Sequence, residues 1–379
     1  MKKIRIIADD KIPFLRGALE DYAEIIYLPG KAIDKEVVKN ADALITRTRT
    51  LCNEDLLAGS SVKFIATATI GYDHIDTAWC EAKGIKWTNA PGCNSSSVQQ
   101  YMVSAFLNLF SSLQLEPSQI TIGIVGAGKV GSKTALAAEA LGMKVMLNDP
   151  PRARAENSKI FSNLADITRE ADIISFHVPL NKEGQDKTLG MAGSSFFSRL
   201  NKPVILFNTS RGPVVNGNEL KKAIARGIVK AGVLDVWEHE PDIDMQLLDK
   251  VTFGTPHIAG YSTDGKVTGT AMTVKAVSHF FGLGLENWYP GNVPKPANEL
   301  LVCDCTEKNE TEIIKEIYLK TYDISDDDRK LRENPKNFEF LRGNYPVRRE
   351  PPAYKVKLLS NSHGDLPVKL KKLGFDLQT

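Results

Sequence analysis

Residues 120–149 read ITIGIVGAGKVGSKTALAAEALGMKVMLND, and the fold turns on them. An apolar run from Ile120 to Val125 meets Gly126, Gly128 and Gly131, then a helical pattern, then a second apolar run ending at Asp149. That order predicts strand, glycine turn, helix and strand. The first glycine permits the tight turn, and the second lets a pyrophosphate approach the backbone. Gly131 lets the helix pack on the strand, and the N–H groups of Gly128, Lys129 and Val130 at the helix start face the anion. Asp149 is placed to accept hydrogen bonds from an adenosine ribose, which favours NAD. Its plainer reading is a polar residue that ends a strand. Arg152 and Arg154 follow closely and suit a 2′-phosphate, so NADP is disfavoured without being excluded.

The chain has 379 residues, enough for two or three domains. Its net charge of +2 comes from interspersed acids and bases, which points away from nucleic acid or an anionic membrane as partner. MKKIRIIADD begins like a signal peptide, but its short apolar run ends in two aspartates and reads as a first strand. No apolar stretch approaches the ~20 residues that span a bilayer. The five cysteines (Cys52, Cys80, Cys93, Cys303, Cys305) have no zinc spacing, and their odd number argues against a disulfide framework. They read as packing residues of a reducing cytoplasm, with no metal site.

Up to about residue 93, strands are predicted at Ile4–Ala8, Ile25–Leu28, Ala43–Thr46, Phe64–Ala68 and Ile85–Thr88. Helical or turn stretches between them imply a parallel sheet. Ser96 or Ser97, each with a glutamine three residues on, predicts a capping box for a long helix over Val98–Leu113. Beyond the glycine turn come apolar runs at Ile173–Val178, Val204–Asn208, Gly232–Leu234 and Thr252–Gly254. In a doubly wound sheet the carboxyl ends of such strands line the ligand crevice. After a proline- and glycine-rich stretch at 287–297, strands are predicted at Leu300–Cys305 and Tyr354–Leu359, and helices near Glu312–Thr321 and Leu366–Leu373.

Three residues at those strand ends suit the oxidation of a hydroxy acid. Arg211 in NTSRGPVVN offers a planar fork to a carboxylate and can polarise the C2 oxygen. His257 in TPHIAGY can take the hydroxyl proton. Glu240 in LDVWEHEP can bond the other ring nitrogen. Each has a plainer reading, Arg211 as a turn residue, Glu240 as a solvated acid and His257 as a packing residue. His177, His239 and His74 compete for the role of base.

VGAGKVG (125–131) with Asp149, FHVPL (176–180), NTSRGPVV (208–215), LDVWEHEP (234–241) and TPHIAGY (255–261) together resemble the D-isomer-specific 2-hydroxyacid dehydrogenase family. The resemblance implies a Rossmann-type doubly wound NAD-binding domain over 94–261. It implies a flavodoxin-like substrate domain from 1–93 with 262–286. A small C-terminal α/β dimerisation domain over 287–379 completes the expected α/β architecture of a homodimer. The resemblance assigns catalysis to Arg211, Glu240 and His257. It assigns cofactor contacts to Asp149, Val178, Thr209, Ser210, Arg211, Asp235 and Gly260, and puts His177 beside the cofactor. Substrate contacts fall to Thr48, Thr69 and Tyr261. ATATIGYDHID (66–76), NAPGCN (89–94), NDPPRA (148–153), GTPHIAGYSTDGK (254–266) and the added tail narrow it to members acting on a small phosphorylated four-carbon hydroxy acid. Thr48 stands where serine is usual, and His239 replaces a common glycine. Other readings are a dehydrogenase of D-glycerate or D-3-phosphoglycerate, or a dinucleotide-sensing regulator without enzymatic activity.

A substrate phosphate adds about two negative charges and calls for further cations. Arg47 and Arg49 flank Thr48, but strand alternation puts them on the face opposite it. Residues 341–379 hold eight Lys or Arg against three acids, including Arg342, Arg348 and Arg349. Their plainer reading is a solvated basic face; the alternative is that one of them reaches the substrate phosphate, in its own subunit or across a dimer.

Overall fold

The computed structural model describes residues 3–360 and 364–378. The chain forms two compact units that meet in sequence at Asn94–Ser95, Ser262–Thr263 and Pro294–Lys295. The first holds β1 (Ile4–Asp9), β2 (Ala23–Leu28), β3 (Ala43–Thr46), β4 (Phe64–Thr67) and β5 (Lys86–Thr88). They form one parallel sheet in the order β2-β1-β3-β4-β5, the flavodoxin-like arrangement. Its central strands are apolar on both faces because both are covered. Ile6, Ala8, Ala43 and Ile45 pack with Leu15, Leu19 and Val274 and Val277 of the helix Thr263–Phe281. Ile7, Leu44 and Ile65 pack with Val38, Leu57 and Cys80 on the other side. Strand β3 ends at Thr46, and residues 47–49 turn away from it. Strand alternation therefore does not govern Arg47 and Arg49, and the Arg47 guanidinium donates to the Lys11 carbonyl (3.1 Å).

The second unit holds β6 (Thr121–Val125), β7 (Lys144–Asn148), β8 (Ile173–Phe176), β9 (Val204–Asn208), β10 (Val229–Leu234) and β11 (Phe253–Gly254). They form a parallel sheet in the order β11-β10-β9-β8-β6-β7. The chain leaves β6 for β7 on one side and returns to β8 on the other. That makes the carboxyl ends of β6 and β8 a switch point, where open α/β sheets bind ligands.

The long helix runs Ser95–Ser112, so Ser96 and Ser97 lie inside its first turn rather than capping it. Tertiary partners take the side chains instead. Ser97 donates to the Ala259 carbonyl (2.7 Å), Ser96 bonds Lys133, and Gln100 reaches Thr321 Oγ1 (3.2 Å) and the Arg349 carbonyl (2.9 Å).

The segment expected as a third domain has its own parallel sheet, β12 (Leu300–Asp304), β13 (Lys355–Leu359) and β14 (Asp376–Leu377), in that order. Its helices nevertheless share one core with the Rossmann part. Tyr101, Phe106 and Phe110 lie in the same cluster as Ile313, Ile317, Tyr318, Val356 and Leu370. Each such side chain contributes roughly 1.5–3 kcal/mol when fully buried. The helix Ile324–Glu333 (ISDDDRKLRE) was not expected from its charge-rich sequence. Its polar face is held by backbone, with Arg332 donating to the Leu248 and Val251 carbonyls (2.8 and 2.9 Å) and Asp328 accepting from the Gly254 amide (2.7 Å). Among the described residues no helix is long and apolar enough to cross a membrane.

Candidate active site

At the switch point Gly126 makes the turn, and Gly131 allows the packing, that their spacing predicts. Gly126 has φ +92°, and a Cβ there would lie 2.6 Å from the His177 carbonyl oxygen. A Cβ on Gly131 would fall 1.9 Å from the Gly126 carbonyl oxygen, so the helix Lys129–Ala140 approaches β6 only without a side chain. A Cβ on Gly128 would meet no atom within 4 Å. The fold therefore does not need glycine at 128, whereas a pyrophosphate lying on this turn does. Lys129 is exposed and Val130 half-buried at the helix start. Asp149 follows β7 and ties the turn together, one oxygen accepting from the Ala127 amide (2.9 Å) and the other from the Arg152 amide (3.1 Å). Arg152 is held by Glu156, and Arg154 pairs with Asp186. These residues fit a dinucleotide.

The ends of β8, β9 and β10 build the next layer. His177 bonds Ser175 (2.8 Å) and Thr209 (3.2 Å), and desolvation pushes its pKa down to about 3, leaving a neutral ring under the turn. Val178 follows it, and its Cγ1 lies 2.9 Å from where a Gly126 Cβ would stand. At the end of β9, the buried Asn208 side chain accepts from the Ser210 amide (3.1 Å) and hydroxyl (2.7 Å) and donates to the Arg211 carbonyl (2.9 Å). Asn208 thus fixes the backbone that presents Arg211, whose guanidinium donates to the Ser210 carbonyl (2.9 Å). A Cβ on Gly212 would fall 1.9 Å from the Trp237 carbonyl oxygen, so the loops after β9 and β10 pass in contact.

His257 and Glu240 come together. His257 Nδ1 lies 2.7 Å from Glu240 Oε2, and Glu240 Oε1 accepts from the Trp237 amide (2.8 Å). Burial opposes the Glu240 charge. The bond to His257 and its charge, the Trp237 amide and the charge of Arg342 outweigh it and hold the carboxyl below its usual range. With the carboxylate on Nδ1, Nε2 is the proton acceptor of the neutral ring.

The loop carrying His257 is gripped from two sides. Asp235, 1% exposed, accepts from the Thr255 hydroxyl (2.7 Å) and the Ile258 and Ala259 amides (2.7 and 2.9 Å). Burial pushes its carboxyl up, against those bonds and the His257 charge. The Asp235 carboxylate is therefore engaged by its own loop. From the tail, Arg348 donates to Ser97 and the Ala259 carbonyl, and Glu350 accepts from the Ser262 hydroxyl (2.7 Å). Arg348, counted among cations for a phosphate, is buried and belongs to this grip. Nothing in its sequence context distinguished it from its neighbours.

Gly260 lies in the same loop, half-buried, and Tyr261 follows it, accepting from Arg342 (3.0 Å). Of the rival histidines, His239 is exposed at φ +62°, which explains why glycine is common there. In the other unit, Thr48 is exposed in the turn after β3. Thr69 bonds Thr67 (2.9 Å) and the Gly71 carbonyl (2.8 Å). His74 is 6% exposed in that unit.

The profile of the D-isomer specific 2-hydroxyacid dehydrogenase NAD binding domain matches residues 98–259, and a domain of unknown function matches 295–374. An erythronate-4-phosphate dehydrogenase of Bacteroides fragilis is 51% identical over 93% of this chain and 99% of its own length. The chain belongs to the erythronate-4-phosphate dehydrogenase family. A family member from Citrobacter koseri is 39% identical over 98% of both chains. The crystal structure of D-lactate dehydrogenase from Aquifex aeolicus, complexed with NAD and lactic acid, is 28% identical. It covers 74% of this chain and 96% of its own, with a TM-score of 0.60. An Entamoeba histolytica 3-phosphoglycerate dehydrogenase, 23% identical at a TM-score of 0.63 over 77% of this chain and all of its own, shares the fold.

Proposed function

We propose that the chain oxidises 4-phospho-D-erythronate with NAD to (R)-3-hydroxy-2-oxo-4-phosphooxybutanoate, within pyridoxal 5′-phosphate (vitamin B6) biosynthesis. The 51% identity to a family member along nearly the whole chain carries this reading. In it Arg211 pairs with the C1 carboxylate and draws electron density from the C2 oxygen. His257 Nε2 takes the C2 hydroxyl proton, and Glu240 steadies the imidazolium that results. NAD, when held there, would supply the acceptor for the hydride on C2. Gly126, Gly128, Lys129, Val130, Gly131 and Asp149 hold its adenosine and pyrophosphate end. Val178, Thr209, Ser210 and Gly260 border the rest, and Asp235 shapes the loop beside it. Thr48, Thr69 and Tyr261 complete the substrate contacts.

The deciding experiment follows NADH formation with 4-phospho-D-erythronate, D-3-phosphoglycerate and D-glycerate in parallel. Turnover confined to the first, and lowered by about 10²–10⁴-fold in His257→Ala, is the expected result. Turnover only with another acid removes the substrate assignment, and NAD binding without any turnover favours a sensor.

The same reading makes the chain a cytoplasmic homodimer joined through residues 287–379. Strand β12 supports it as an edge strand with Leu300 and Val302 45% and 42% exposed. Sedimentation that finds only monomer at micromolar concentration overturns the dimer.

A further inference from the structure

In the reading above, Arg211 and His257 serve the carboxylate and the C2 hydroxyl, leaving the substrate phosphate without a named partner. The structure separates the basic residues of the tail. Arg348 is 4% exposed and bonded into the loop. Arg342, on the short helix Phe338–Gly343, goes to the catalytic loop instead. Its Nη2 donates to the Tyr261 hydroxyl oxygen (3.0 Å), and its charge bears on Glu240, the partner of His257.

Arg342 is held as a recognition cation is held. Its guanidinium lies over the rings of Tyr261 (5.6 Å) and Phe338 (5.9 Å). Its side chain is 18% exposed and pairs with Glu339, 3.2 Å away and 40% exposed. An ion pair with so exposed a partner is weak and readily exchanged for a stronger anion. The Arg342 Nε is buried with no hydrogen-bond partner among the described residues. Donation into the Tyr261 oxygen also polarises the phenol and makes its O–H a better donor. A planar cation beside a polarised hydroxyl is the chemistry that binds a phosphate dianion.

We propose that Arg342, with the Tyr261 hydroxyl it orients, binds the terminal phosphate of the substrate and sets the preference for phosphorylated over unphosphorylated hydroxy acids. The proposal rests on the reading of the chain as a dehydrogenase of a phosphorylated acid.

The test measures kcat/KM for 4-phospho-D-erythronate and D-erythronate in the full-length wild type, Arg342→Met and Arg342→Lys. The ratio of the two values is expected to fall by about 100-fold in Arg342→Met, chiefly through KM for the phosphorylated acid. Arg342→Lys, which keeps the charge without the fork, recovers part of it. A loss shared equally by both substrates, with the ratio intact, overturns the proposal. So does an unchanged KM for the phosphorylated acid. If Arg342→Met does not fold, Arg342→Lys and Tyr261→Phe carry the same ratio test. Should the wild type prefer D-3-phosphoglycerate to 4-phospho-D-erythronate, the substrate reading fails separately. The D-3-phosphoglycerate to D-glycerate ratio then decides the role of Arg342.

Discussion

His257 enters the left-handed region at φ +57°, a conformation costing a residue with a side chain about 1–3 kcal/mol unless its surroundings enforce it. Two carboxylates enforce it here. Asp235 holds the next two amides, and Glu240 holds the ring through Nδ1. Because Glu240 titrates below the usual carboxyl range, it is ionised throughout the neutral range and available to the imidazolium. Glu240→Gln keeps the shape and removes the charge. Its kcat is expected to fall by about 10–100-fold with little change in KM for the acid, read from steady-state kinetics. Equal kcat in the variant would remove Glu240 from the mechanism. Both residues were legible in the sequence as strand-end groups. Their pairing was not, because 17 positions separate them and only the sheet brings the β10 and β11 ends together.

At the scale of the element, the turn between β6 and the helix Lys129–Ala140 separates folding from binding within six residues. Gly131 is required by close packing, since a Cβ would overlap the Gly126 carbonyl at 1.9 Å. Gly128 stands before open space and is required only if a ligand lies there. Gly131→Ala is therefore expected to lose about 2–4 kcal/mol of stability in urea unfolding. Gly128→Ala should unfold within about 0.5 kcal/mol of wild type yet bind NAD at least about tenfold more weakly by titration. A Gly128→Ala chain that binds NAD normally would move the pyrophosphate off this turn. The long helix gives the opposite lesson. Ser97, which local rules make a cap, became an anchor for the His257 loop because the Ala259 carbonyl and Arg348 reach it from distant sequence.

Across the whole molecule, buried histidines couple stability to pH. Burial outweighs the nearby Asp73 charge and pushes His74 down to about 4 from its ordinary 6.5. The unfolded chain thus binds a proton that the fold refuses, so the contribution is complete above pH 6.5 and is lost as pH falls toward 4. At pH 5 the loss is about 2 kcal/mol. His74→Gln should flatten the pH dependence of the unfolding free energy between pH 7 and 5, measured by urea titration at each pH. An unaltered slope would exclude His74. The sequence by itself determined the parallel α/β plan, the glycine turn with Asp149, and the strand ends bearing Arg211, Glu240 and His257. Those features are local, since hydrophobic period, glycine spacing and strand-end chemistry are written within a few residues. Tertiary structure alone decided that Arg348 and Glu350 grip the His257 loop, that Arg342 meets Tyr261, and that a charge-rich segment forms the helix Ile324–Glu333. Such polar groups gain their energy from buried partners up to some 250 positions away, and no short window of sequence contains both halves of the bond.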